Sequence, residues 1–225
     1  MAPDRHLADL VRTLEGARDP VRAAGMSAYL RDQFPCLGIT LPRLRALLRE
    51  LPRPAPEEAV EWAQACWALP EREYQYAGLF ALQAAARRLS PTCLPDIRGL
   101  ITTKSWWDTV DGLATSVVGT LVLRHRELTR EMDRWVLAGD IWLARTAILH
   151  QERWKSETDA GRLFRFCELR AGDREFFIRK AIGWALRSYA AVDPAAVQSF
   201  VQDHEQALSG LSRREAMKGV VRHLR

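Results

Sequence analysis

A chain of 225 residues that is 48% apolar and 27% charged can bury a sizeable core, which excludes a disordered or low-complexity polymer. Its formal charge of +5, with a pI near 9.3, favours an anionic partner. No stretch approaches the roughly 18 consecutive apolar residues of a membrane span. The opening Met1-Ala-Pro-Asp-Arg-His carries charge where a signal peptide needs an apolar core. The expectation is a soluble cytoplasmic protein with access to the nucleoid and no membrane partner. The cysteines, Cys36, Cys66, Cys93 and Cys167, stand apart without a CxxC pair, as small reduced thiols in a core would.

In chain order, helix starts recur. Asp19-Pro20 sets a capping side chain before a proline at the first helical position, and Ser90-Pro91 and Asp193-Pro194 repeat the signal. Leu41-Pro42, Ala55-Pro56 and Leu69-Pro70 place proline before runs of helical period. Amphipathic stretches such as Glu71–Leu89 and Glu175–Ala191 fill the intervals. Alternating strand patterns are absent, and Asp111-Gly112 lies inside a helical pattern rather than between apolar strands. About twelve helices with short connections are expected, an all-α fold in a single domain over residues 1–225.

Four segments align at a constant spacing of 34 residues: those opening at Tyr74, Asp108, Trp142 and Phe176. Their sixth positions are Leu79, Leu113, Ala147 and Ala181. A period of this length predicts stacked helix pairs, an α-solenoid. The Trp, Leu-Gly and Tyr pattern of tetratricopeptide arrays is missing, so degenerate HEAT-like repeats fit better. The fourth positions are Ala77, Asp111, Arg145 and Arg179. Equivalent positions share a face, so Asp111 and Arg145 are expected side by side, with Trp107 one turn before Asp111.

Familiar catalytic machinery is missing. His6, His125, His150, His204 and His223 form no HExxH, and no glycine-rich phosphate loop occurs. No cofactor or metal is expected. The densest candidate is Lys104-Ser-Trp-Trp-Asp-Thr-Val-Asp111, whose adjacent tryptophans cannot both face a core. Either Trp107 lines a groove or it caps a neighbouring repeat, and Asp111 is either a functional acid or a structural partner for Arg145. In Arg174–Arg187, Phe177, Ala181 and Trp184 follow core-like spacing, so Trp184 reads as core or as a ligand platform. Gly183 costs about 1 kcal/mol against alanine inside a helix, which signals a close backbone approach. From Leu211 on, five cations (Arg213, Arg214, Lys218, Arg222, Arg225) against Glu215 supply +4 of the net charge, as a solvated helix or a phosphate-contacting one.

Thr103–Asp111, Asp140-Ile-Trp-Leu-Ala-Arg145, Arg174–Arg187 and Leu211-Ser-Arg-Arg-Glu-Ala together resemble the bacterial DNA alkylation repair family of HEAT-like DNA glycosylases. The likeness extends from Tyr29 and Leu37-Gly38 to the basic C-terminus. It implies a right-handed solenoid with a concave basic groove, and excision of cationic N3- and N7-alkylpurines from double-stranded DNA by a monomer without a base pocket. It also implies Asp111 as catalytic carboxylate, Trp107 and Trp184 against the deoxyribose and backbone, and Arg145 on the nearby phosphate. Tyr29 stands at the cleft edge in that reading. Lys104, Ser105, Arg179, Lys180, Arg187, Arg213, Arg214 and Lys218 complete the expected DNA contacts. Leu41 departs from the family, whose members tend to carry a hydroxyl residue there. The competing class is a non-catalytic repeat scaffold that binds DNA or a protein.

Overall fold

The computed structural model describes the backbone of residues 3–223 and side chains from His6 to His223. Arg225 and the first residues of the charged start lie outside the described residues. All regular structure among the described residues is helical, with no strand, and no described helix is long and apolar enough to cross a membrane. The helices gather into two compact units, Met1–Asp96 and Ile97–Arg225.

In the first unit, α1 (Pro3–Glu15), α2 (Pro20–Tyr29), α3 (Leu41–Glu50), α4 (Ala59–Ala68) and α5 (Arg72–Ala85) follow one another. Asp19 caps α2 by accepting from the Arg22 N–H at 3.0 Å, as its Asp-Pro signal requires. Leu10, Leu14, Leu37, Ile39, Leu44, Leu47, Trp62 and Tyr74 form the core. The buried Glu73 carboxylate accepts the backbone N–H groups of Leu37, Gly38 and Ile39 at 2.8, 2.8 and 3.0 Å. These charge-assisted bonds pin the extended segment ahead of α3 to α5.

α6 (Leu94–Thr102) leads into the second unit. There α7 (Trp107–Gly112) passes through a π-helical stretch, Leu113–Val118, into α8 (Gly119–Arg124). α9 (Thr129–Trp135), α10 (Ile141–Leu149), α11 (Ala160–Leu169), α12 (Phe176–Tyr189), α13 (Pro194–Asp203) and α14 (Gly210–His223) follow. The 34-residue register opens three of these helices, α7, α10 and α12. α7 packs on α10, α10 on α12 and α12 on α14, while α9, α11 and α13 each pack on the helix that follows them. Asp140 caps α10 by accepting from the Trp142 and Leu143 N–H groups at 2.8 and 3.0 Å. Every residue from Trp142 to Leu149 is buried, so α10 is covered all round, and any charge on it must find a partner within the protein.

Candidate functional site

Between α6 and α7 the chain turns through four residues. Lys104 adopts a left-handed conformation there, with φ of 50°. The Ser105 hydroxyl donates to the Ile101 carbonyl at 2.6 Å and closes the end of α6. Ser105, expected among the DNA contacts, thus directs its hydroxyl proton to backbone. Trp106 is extended and turns its ring inward, with centroids 5.8 Å from Trp142 and 5.1 Å from Phe177. Trp107 opens α7 and lines a cleft of about 350 Å³. The paired tryptophans thus divide, one into an aromatic cluster and one into the groove.

The cleft is also lined by Asp111 on α7, Arg145 on α10, Phe176, Phe177, Lys180, Trp184 and Arg187 on α12, and Glu215 on α14. Asp111 sits just before the π-helical stretch, where the Thr115 hydroxyl donates to the Asp111 carbonyl at 2.9 Å. Widened turns of this kind re-aim side chains and recur at functional sites. The Arg145 Nε donates to Asp111 Oδ1 at 2.6 Å and Nη2 donates to Oδ2 at 2.8 Å. Nη1 donates to the Phe177 carbonyl. The Arg145 side chain is only 5% exposed, against 18% for Asp111. Without DNA, the fork expected on a phosphate is turned onto a carboxylate inside the protein. Burial pushes the Asp111 carboxyl above its ordinary value, and the bonds and charge of Arg145 oppose that rise.

Trp184 lines the cleft instead of the core, while Ala181, one turn earlier, is fully buried. Spacing alone had put the two on one core stripe. Gly183 beside it marks a close approach, because a Cβ there would lie 2.6 Å from Glu215 Cβ. Glu215 was missed as a cleft residue. It accepts from Arg187 Nη1 at 2.6 Å and from Lys218 Nζ at 2.6 Å, with Lys180 Nζ 3.7 Å away. The Lys218 bond first, with the Lys180 and Arg187 charges, holds its carboxyl below the ordinary value against a smaller opposing effect of burial.

The remaining expected contacts are dispersed. The Arg179 Nε donates to the Asp173 carbonyl at 2.8 Å, which ties it to the loop before α12. Arg213 pairs with Glu205 at 2.7 Å, and Arg214 is exposed. Tyr29, expected at the cleft edge, belongs to the first unit and is 71% exposed. Phe176 and Phe177 were also missed. Phe176 is 52% exposed, and its ring stands edge-on to that of Phe177 at 5.4 Å. Among the described residues, no group of three His, Cys, Asp or Glu could hold a metal ion.

Residues 10–220 match the family described as DNA alkylation repair enzyme. Among solved structures, the chain is similar to "Predicted DNA alkylation repair enzyme from Enterococcus faecalis", at 30% identity and a TM-score of 0.79. That match covers 89% of this chain and 95% of the other. No curated protein is matched. On the family match and this structural likeness, the chain belongs to the DNA alkylation repair enzyme family.

Proposed function

We propose that the protein is a monofunctional DNA glycosylase that hydrolyses the N-glycosidic bond of cationic N3- and N7-alkylated purines in duplex DNA. One observation carries this reading. A carboxylate, Asp111, is fixed by two guanidinium bonds in a cleft that Trp107 and Trp184 also line.

Alkylation at N3 or N7 makes the purine cationic, so it leaves without a general acid. Positive charge then builds on the sugar as the bond to C1′ lengthens, as in glycoside cleavage. A carboxylate beside that sugar stabilises the charge and orients or deprotonates the attacking water. Its desolvated setting strengthens both effects, because charges interact more strongly away from water. The tryptophan faces carry negative quadrupole density and suit the electron-poor ribose. Arg145 acts as a positioning residue, holding both Asp111 oxygens in one plane. No lysine nucleophile is needed, so the strand stays intact.

Helix pairs in a row, α7, α10, α12 and α14 with α9, α11 and α13, support the HEAT-like solenoid reading. The family match, which runs through both units, supports reading them as one repair domain. A duplex carrying one N7-methylguanine, incubated with the protein and then treated with hot alkali, tests the activity. Strand breaks only after alkali are the expected result. Binding without any alkali-labile site would favour the non-catalytic DNA-binding reading.

A further inference from the structure

We infer that Glu215 is a positioning residue that presets Lys180 and Arg187 as the phosphate seat of the cleft. The inference rests on the glycosylase reading only for the nature of the nucleotide beside that seat.

Arg145 is turned away from such a seat, being 5% exposed and bonded to Asp111 and Phe177. Lys180 and Arg187 line the same cleft with side chains 39% and 40% exposed. Both converge on Glu215, whose side chain is 10% exposed. Its place is dictated by backbone. A Cβ at Gly183 would lie 2.6 Å from Glu215 Cβ and 3.0 Å from the Ser212 carbonyl oxygen, and one at Gly219 would lie 2.5 Å from the Arg187 carbonyl oxygen. Two glycines on facing helices therefore bring α12 and α14 together and leave Glu215 little room to move.

A carboxylate in a DNA-binding cleft repels phosphate at long range, so its presence calls for a local benefit. One carboxylate gathers three cations, Lys180, Arg187 and Lys218, and the group keeps a net charge of +2. Long cationic side chains lose rotamer freedom when they order on a ligand, and ordering them beforehand removes that cost from binding. An ammonium carries three donor hydrogens and a guanidinium five, so contact with Glu215 leaves each with donors for a phosphate.

The test uses Glu215→Gln, which keeps the shape beneath Gly183 and removes the charge. Affinity for undamaged duplex, phosphate-ethylation interference and single-turnover excision are measured together. Affinity for undamaged duplex should change little, because the ordering cost restored to Lys180 and Arg187 offsets the loss of one repelling charge. Excision should fall by about tenfold or more, towards the about 10²-fold loss that misplacement by an ångström brings. Interference at the phosphates seated by Lys180 and Arg187 should fade. In a Lys180→Gln/Arg187→Gln background, Glu215→Gln should change excision no further. A rise in both affinity and excision would overturn the inference, since Glu215 would then merely repel DNA. A further loss in the double-variant background would also overturn it, by showing a general structural role. If wild-type protein releases no base while interference still fades in Glu215→Gln, the seat stands and the glycosylase reading falls. If base is released and the interference pattern stays unchanged, the glycosylase reading stands and the seat falls.

Discussion

Asp111 and Arg145 lie 34 residues apart and share a two-pronged ion pair, at 2.6 and 2.8 Å, inside one cleft. Neither is placed there by its own helix alone. α7 carries the acid, and α10, buried all round, carries the base.

The pair fixes the response to pH. The folded-state pKa of Asp111 is raised by burial, above the unfolded aspartate value of about 3.9. The folded protein therefore binds this proton more tightly than the unfolded chain does. The stability it contributes is present below the unfolded value and is lost as pH rises through the folded one. In the proposed mechanism excision runs the other way, because it needs the ionised carboxylate, so the rate should fall as pH drops through the folded value. A single-turnover pH profile and thermal melts over the same range should show opposing slopes in that window. Asp111→Asn should flatten the melt profile there.

Arg145→Ala should leave a carboxylate desolvated and unpaired, costing about 3–5 kcal/mol of stability by urea denaturation. Arg145→Lys should cost less, because a charge remains, yet it cannot hold both oxygens of Asp111. Excision by the Lys variant should be depressed more than its duplex affinity. Equal losses in both would assign Arg145 to DNA binding rather than to the placement of Asp111.

Gly183→Ala sets two known effects against each other. Alanine gains about 1 kcal/mol in helix propensity, whereas overpacking costs about 1–3 kcal/mol. With Glu215 Cβ only 2.6 Å from the added atom, overpacking should win. Denaturant midpoints should drop, and a gain in stability would show that α12 and α14 separate freely.

Much of this was legible in the sequence, for identifiable reasons. The period of 34 put Asp111 beside Arg145, and a glycine inside a helix announced the approach at Gly183. Caps such as Asp19 and Asp193 follow local rules that need no tertiary context. Where Trp184 points was not legible from spacing, which suits a core stripe, although the family resemblance implied the cleft that it lines. The π-helical stretch Leu113–Val118 carries no pattern distinct from an α-helix. Glu215, one acid among five terminal cations, looks like part of a solvated face until α12 covers it.

Substrate choice follows from an open cleft with no base pocket in the proposed mechanism. Cationic adducts should leave irrespective of bulk, and neutral lesions such as uracil should stay. Trp107→Ala and Trp184→Ala should slow small and bulky N7 adducts by similar factors, measured as release from otherwise identical duplexes. Refusal of the bulky adduct, or efficient uracil release, would point to a pocket that reads the base.

The most direct test of the central claim is single-turnover excision of N7-methylguanine by Asp111→Asn, with melting and duplex affinity recorded beside it. Asparagine keeps one acceptor for Arg145 and removes the charge that opposes the sugar cation. Some stability should be lost, since Arg145 then lies buried beside a neutral group. Duplex binding should persist. The rate should fall by about 10²–10³, the usual cost of removing one preorganised transition-state contact. Excision at the wild-type rate by this folded, DNA-bound variant would contradict the account.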